Sequence, residues 1–196
     1  KLTDHIRAIE INKCIPFVRL KSSNQQNIQT AIEAGAHGLI FPQIKSAKEL
    51  TKLIEFSKLP PIGKRNIGYS RANFFGNIFN EYLSNKSAPY IIAMIENKEA
   101  LEDIENILVV DHLDAIFVGP YDLSASLDVL GEFENIRYKN AIKKIIKSSK
   151  SFDIPCGIHV IKPSKKELQY RIKQGFKFIA YSMDTVFLSE AAKKPL

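Results

Sequence analysis

The feature that most constrains this chain is an alternation. Short, almost wholly apolar runs take turns with longer stretches in which apolar residues recur every three or four positions. The first kind stands at residues 16–20 (PFVRL), 38–43 (GLIFPQ), 90–96 (YIIAMIE), 113–119 (LDAIFVG), 155–160 (PCGIHV) and 176–183 (FKFIAYSM). The second kind fills 25–34, 46–57, 98–108, 135–151, 164–174 and 185–193, with one more helix-like piece over 2–11. Strand-like runs separated by helical stretches predict βαβ units and a parallel sheet. Their near-continuous apolarity predicts strands covered on both faces. Gly35 and Gly175 each follow a helical stretch, where a left-handed cap is wanted.

Six such units fit either a doubly wound sheet or most of a (β/α)8 TIM barrel, and spacing alone does not choose. A barrel of this type needs roughly 250 residues, so on that reading the 196 residues lack the first one or two N-terminal β/α units. An open sheet would then expose unpaired backbone groups, to be covered by another segment or by a longer polypeptide. A single domain over 1–196 is expected, because no linker or low-complexity tract interrupts the rhythm. Only residues 59–87 break it, with Pro-Pro, glycines and several aromatics, and a long connection of that kind is usually functional.

The charge of +7, from 28 Lys+Arg against 21 Asp+Glu, admits a nucleic-acid partner or attraction for small anions. The lysines are scattered over helix faces (Lys45, Lys48, Lys52; Lys143, Lys144, Lys147) without interleaved aromatics, which speaks against nucleic acid. There is no apolar run long enough for a membrane span and no leader-like opening. Cys14 and Cys156 lie far apart with no metal-ligand spacing, so reduced packing thiols in a cytoplasmic protein are expected.

In both architectures, functional groups gather where parallel strands end. Glu96 closes YIIAMIE, Asp122 follows LDAIFVG, Arg19 lies near the tip of PFVRL, and His159 sits in PCGIHV. Two carboxylates and an arginine at one mouth are the parts of a Mg2+ or Mn2+ site that binds a 2-oxo acid: hard oxygen ligands for the cation, a planar fork for the substrate carboxylate. Such a cation draws electrons from the ketone and makes the neighbouring methyl protons acidic. Taken singly, Glu96 also reads as a charge partner for the next helix and Asp122 as a turn residue. No lysine stands at a strand centre to form an imine, which favours the metal route.

The stretches PFVRL, AGAHGLIFPQIKSAKE, MIENKEALEDIENIL, LDAIFVGPYDLSASL and GFKFIAYSMDTVFL, above all GPYDLSASL, resemble the HpcH/HpaI aldolase family, relatives of citrate lyase β subunits, over nearly the whole chain. The resemblance implies a lyase: a pyruvate-dependent class II aldolase that forms a pyruvate enolate and adds or cleaves an aldehyde. It implies metal ligation by Glu96 and Asp122, and contact of Arg19 with pyruvate and the developing charge. It further implies a pyruvate carboxylate against the Tyr121 backbone amide, and a homo-oligomer. Glu33 stands where the family has an Asp supporting the catalytic histidine.

There are departures. The family's Asp-x-Glu-His motif, which carries the base, has no counterpart, since the chain opens just beyond its place. Met94 replaces a substrate-placing Gln, and Asp128 replaces a Gly. His159 is therefore a candidate replacement base, a substrate-orienting group or a core histidine, while His37 and His112 precede strands and read as structural. Arg65 and Arg71 are candidates to recognise a carboxylate or phosphate on the aldehyde, or are solvated loop residues. Phe74, Phe75, Phe79 and Tyr82 read as loop packing. Alternatives to the aldolase are a citryl- or malyl-CoA-type lyase and a catalytically silent barrel subunit that binds a small acid.

Overall fold

A computed structural model describes residues 1–86 and 88–193. Six parallel strands pair in strict sequence order, curled into half a barrel: β1 (Phe17–Arg19), β2 (Gly38–Phe41), β3 (Tyr90–Ile95), β4 (Ala115–Val118), β5 (Cys156–Val160) and β6 (Phe178–Tyr181). A doubly wound sheet reverses its strand order at a switch point; this one does not, which sets the doubly wound alternative aside. All six expected strands form, each a residue or more shorter than its apolar run.

Helices α1 (Leu2–Ile11), α2 (Gln25–Glu33) and α3 (Ala47–Ser57) surround the first two strands, and α8 (Ile136–Ser151), α9 (Lys165–Gln174) and α10 (Asp184–Ala192) follow later ones. Several start on a polar side chain that accepts the orphan N–H of the first turn, as Ser46 does from Glu49 at 3.3 Å. Gly35 and Gly175 hold φ of 103° and 106°, the left-handed backbone expected of them.

Two helical expectations need correction. Residues 98–108 form two short helices, α5 (Lys98–Glu102) and α6 (Ile104–Leu108), rather than one. The break is Asp103, whose Oδ2 accepts from the Ala47 backbone N–H at 2.8 Å and whose Oδ1 accepts from Asn106 Nδ2 at 2.6 Å, so its side chain competes with the helix it stands in. GPYDLSASL, where Asp122 reads as a turn residue, is helical over Pro120–Ser126, here α7, with Pro120 in the first-turn position that its fixed φ suits. Within the long connection lie a 3-10 turn, Arg71–Gly76, and helix α4, Phe79–Ser84.

The sheet has two differently packed faces. Leu39, Ile91, Ile95, Ile116 and Ile158, none of them measurably exposed, point outward beneath the helices in the main core. Each such side chain stabilises the fold by about 1.5–3 kcal/mol. Ile92, Met94, Ala115 and Phe117 form a second cluster on the inner face. There, aromatic rings reach across intervening glycines. Phe17 stacks on Tyr90 at 6.1 Å over Gly38, and Phe117 on Phe178 at 5.5 Å over Gly157; a Cβ on either glycine would meet a ring at 2.1 or 2.3 Å. The central strands are largely covered on both faces as expected, apart from Tyr90 at the start of β3, 57% exposed, whereas the edge strands are more open: Phe17 is 41% and Tyr181 36% exposed.

Cys156 is buried, but Cys14 is exposed and is not a packing residue. In the connection, Phe79 packs edge-on against Tyr69 at 4.9 Å, whereas Phe74 and Phe75 stand open to solvent rather than packed. No helix among the described residues is long and apolar enough to cross a membrane.

Candidate functional site

The segments that follow β2 and β4 meet at Glu96, the first residue beyond β3. It is buried, 1% exposed, and its two oxygens have different surroundings. Oε1 accepts from the Gln43 backbone N–H at 2.7 Å and from Gln43 Nε2 at 3.1 Å. Oε2 is buried and has no hydrogen-bond partner. It occupies the space left by the missing side chain of Gly119, where a Cβ would sit 2.6 Å from it. Burial pushes the Glu96 carboxyl above the usual carboxylate range, Asp122 adds to the rise, and the Gln43 hydrogen bonds and Arg19 oppose it. A buried carboxylate oxygen with no donor is costly unless something binds it.

The reading of Glu96 as a charge partner for the next helix fails on position. Asn97 performs that task, accepting from Ala100 N–H at 2.8 Å while its Nδ2 donates to Ile44 O at 2.9 Å. Nor is Asp122 a simple turn residue, since it lies in the first turn of α7.

Asp122 and Arg19 lie near enough for their charges to act on Glu96. Arg19 does so from β1, whose partner in the register is Ile40 on the inner face. His159 belongs to the same face. It follows the Val118–Ile158 pair by one residue and is thus level with Gly119, on the row that starts at Glu96. Met94 lies one inward step below Glu96, 7% exposed, and gives the floor of the site an apolar lining. Tyr121 follows Pro120, which has no N–H, so its amide is the first free donor of α7; its ring rests edge-on against Phe133 at 5.1 Å.

Glu33 and Arg65 are not brought to this mouth. Glu33 ends α2 just ahead of β2, and its charge acts on Arg65 and Tyr82. Arg65 is 4% exposed, donates Nη1 to Ser57 O at 3.1 Å and lies over the Tyr82 ring at 5.4 Å. These residues belong to the end where strands enter the sheet, beside a cavity of about 1050 Å3 lined by His37, Tyr90 and Asp114 among others. Arg71 is there too, bound to Glu10 and to Ala34 O. Neither arginine is a solvated loop residue. Sequence reasoning missed Gln43 and Gly119. The strand-end rule that selected Glu96 also selects Gln43, a polar residue just beyond β2.

The fold is thus a parallel β/α half-barrel with a buried, half-satisfied carboxylate at its strand ends. The family model described as HpcH/HpaI aldolase/citrate lyase matches residues 1–191, and the chain belongs to that family. Among its relatives, the hydroxypyruvate/pyruvate aldolase of Roseobacter denitrificans is 29% identical over 194 residues, covering 98% of this chain and 75% of the relative. The 4-hydroxy-2-oxovalerate aldolase of Novosphingobium aromaticivorans is 30% identical over 194 residues, with 95% and 71% covered. A crystal structure of a family protein from Burkholderia cenocepacia superposes with a TM-score of 0.92 at 26% identity, covering 99% of this chain and 77% of that one.

Proposed function

We propose that this protein is a divalent-metal-dependent aldolase acting on a 2-oxo acid, with Glu96 and Asp122 as the metal-holding carboxylates. The observation that carries this reading is the buried Oε2 of Glu96, which has no hydrogen-bond partner and lies against Gly119 near Met94, within the influence of Asp122 and Arg19. The residues fit a hard cation. Two carboxylates are the kind of hard oxygen donors that suit Mg2+ or Mn2+, which use one or two of them and leave positions open. Bound there, the cation supplies Lewis-acid stabilisation of negative charge on the ketone oxygen.

The remaining work falls to the chain itself. Arg19 pairs with the substrate carboxylate and with charge that develops as the methyl proton leaves. The Tyr121 N–H donates to the same carboxylate, fixing its plane. Met94 and its apolar neighbours exclude water from the reacting face. His159, on the inner row with Glu96, orients the aldehyde and is placed to take or return a proton. Glu33 and Arg65 act at the strand-entry end as supporting residues. We further propose that two β/α units complete the sheet into a closed barrel, that the molecule works as a homo-oligomer, and that its free thiols belong to the cytoplasm.

The test follows exchange of the pyruvate methyl protons with D2O by NMR, which detects enolisation whatever the aldehyde. Exchange is expected with Mg2+ or Mn2+, to stop with chelator, and to be lost in Glu96→Ala and Asp122→Ala. Exchange that ignores chelator and survives both substitutions would refute the mechanism.

A further inference from the structure

We infer that Gln43 is a positioning residue that fixes Glu96 so that Oε2 alone faces a divalent cation. This deepens the metal-centre reading above and rests on it. β2 ends at Phe41, and Pro42 cannot donate to a neighbouring strand. Gln43 then takes a left-handed backbone, φ 56°, that no glycine excuses. The carbonyls on either side of it are tied down by different elements: Pro42 O accepts from Ser23 Oγ, and Ile44 O from Asn97 Nδ2, both at 2.9 Å. Pinned at both flanks, the segment directs the Gln43 N–H onto Glu96 Oε1, and the Gln43 amide reaches the same oxygen.

An ionised carboxylate oxygen has about two lone-pair sites, and both of those on Oε1 are taken. A cation that engaged Glu96 through both oxygens would have to displace two donors, one of them part of a pinned backbone. Oε2 has no donor to lose. The carboxylate is therefore divided: one oxygen anchors, the other ligates. Gln43 contributes neither a ligand nor a substrate contact. It acts through Glu96, as the partners that orient metal ligands do elsewhere.

Glycine and alanine at this position separate positioning from mere structure. Gln43→Gly keeps the N–H, removes the amide and relieves the left-handed strain. Gln43→Ala removes the amide and keeps the strain. Mn2+ binding to the full chain, measured by isothermal titration calorimetry, is expected to weaken about tenfold in both variants. The metal-free thermal midpoint should rise or hold in Gln43→Gly and fall or hold in Gln43→Ala, so affinity and stability part company. Pyruvate exchange at saturating Mn2+ should recover much of the wild-type rate. Glu96→Gln supplies the reference. If Glu96→Gln loses Mn2+ while both Gln43 variants bind within twofold of wild type, the positioning role is overturned and the metal site stands. Wild-type binding no tighter than that of Glu96→Gln overturns both readings.

Discussion

Gly119→Ala is the smallest change that should disable the site. Its backbone angles, φ −94° and ψ 96°, are open to any residue, so the substitution meets no conformational bar and tests space alone. The new Cβ would lie 2.6 Å from Glu96 Oε2, 3.0 Å from Glu96 Cβ and 3.2 Å from Met94 Cε. Met94 can swing its terminal methyl aside. The carboxylate cannot escape so easily, because Gln43 holds its other oxygen. Restoring an ordinary contact of about 3.5 Å moves Oε2 by roughly 0.9 Å, several times the ~0.2 Å tolerance of a metal site.

A displacement of about 1 Å in a reacting centre costs roughly a hundredfold in rate. Stability should suffer less: overpacking costs about 1–3 kcal/mol, while replacing glycine returns about 0.4–1 kcal/mol through the unfolded chain. The expected result is a fold that unfolds at slightly lower denaturant and a pyruvate proton exchange rate about a hundredfold down. Gly68→Ala, whose Cβ would meet nothing within 4 Å, is the control and should change neither. Exchange within threefold of wild type in a folded Gly119→Ala protein would refute the idea that Oε2 lies where the chemistry happens.

Other outcomes follow from the same structure. Arg19→Lys should lose most exchange activity with an unchanged thermal midpoint, whereas Arg65→Met should lower the midpoint and leave the pyruvate KM alone, which steady-state kinetics and calorimetry separate. Tyr138 is buried with an unpartnered hydroxyl, so Tyr138→Phe should raise stability to denaturant by about 1 kcal/mol. Burial pushes both the Tyr138 hydroxyl and the Cys156 thiol up to about 12. Both ionise more readily in the unfolded chain, so their contribution is intact below pH ~8.5 and should be lost progressively as pH rises toward 12. Denaturant titrations across that range check it, and Cys156→Ala should shallow the alkaline decline. In the native protein a thiol reagent should modify Cys14 quickly and Cys156 only on unfolding.

Strand identity was legible because buried parallel strands must be apolar on both faces, and few other elements are. Strand ends were not, since the ladder stops where pairing stops and not where a strand-like run does: residues 113 and 114 open the run LDAIFVG, yet the Asp114 backbone N–H and side chain serve Ile91 ahead of the strand start. The division of 98–108 into α5 and α6 was hidden because Asp103 serves a residue more than fifty positions away, the N–H of Ala47. Periodicity sees only neighbours along the chain. The same limit hid Gln43, whose significance lies entirely in where its N–H points.

The two misplaced site residues teach a sharper rule. In a parallel β/α repeat, a helix runs back from the strand exits to the strand entries, so every residue at a helix C-terminus or in the connection after it belongs to the entry end. Glu33 closes α2, and Arg65 follows α3. Their direction of travel, readable from the same alternation that marked the strands, already places them far from Glu96, which follows a strand. Chemistry at this mouth must come from residues at strand exits or just beyond them: Arg19 and His159 close to the ends of β1 and β5, and Gln43, Glu96, Gly119 and Asp122 in the segments that follow β2, β3 and β4. Charge type selected candidates on both ends of the sheet. Chain direction is what divides them, and it puts the Glu33–Arg65–Tyr82 group at the end where strands enter the sheet, opposite the end where Glu96 lies.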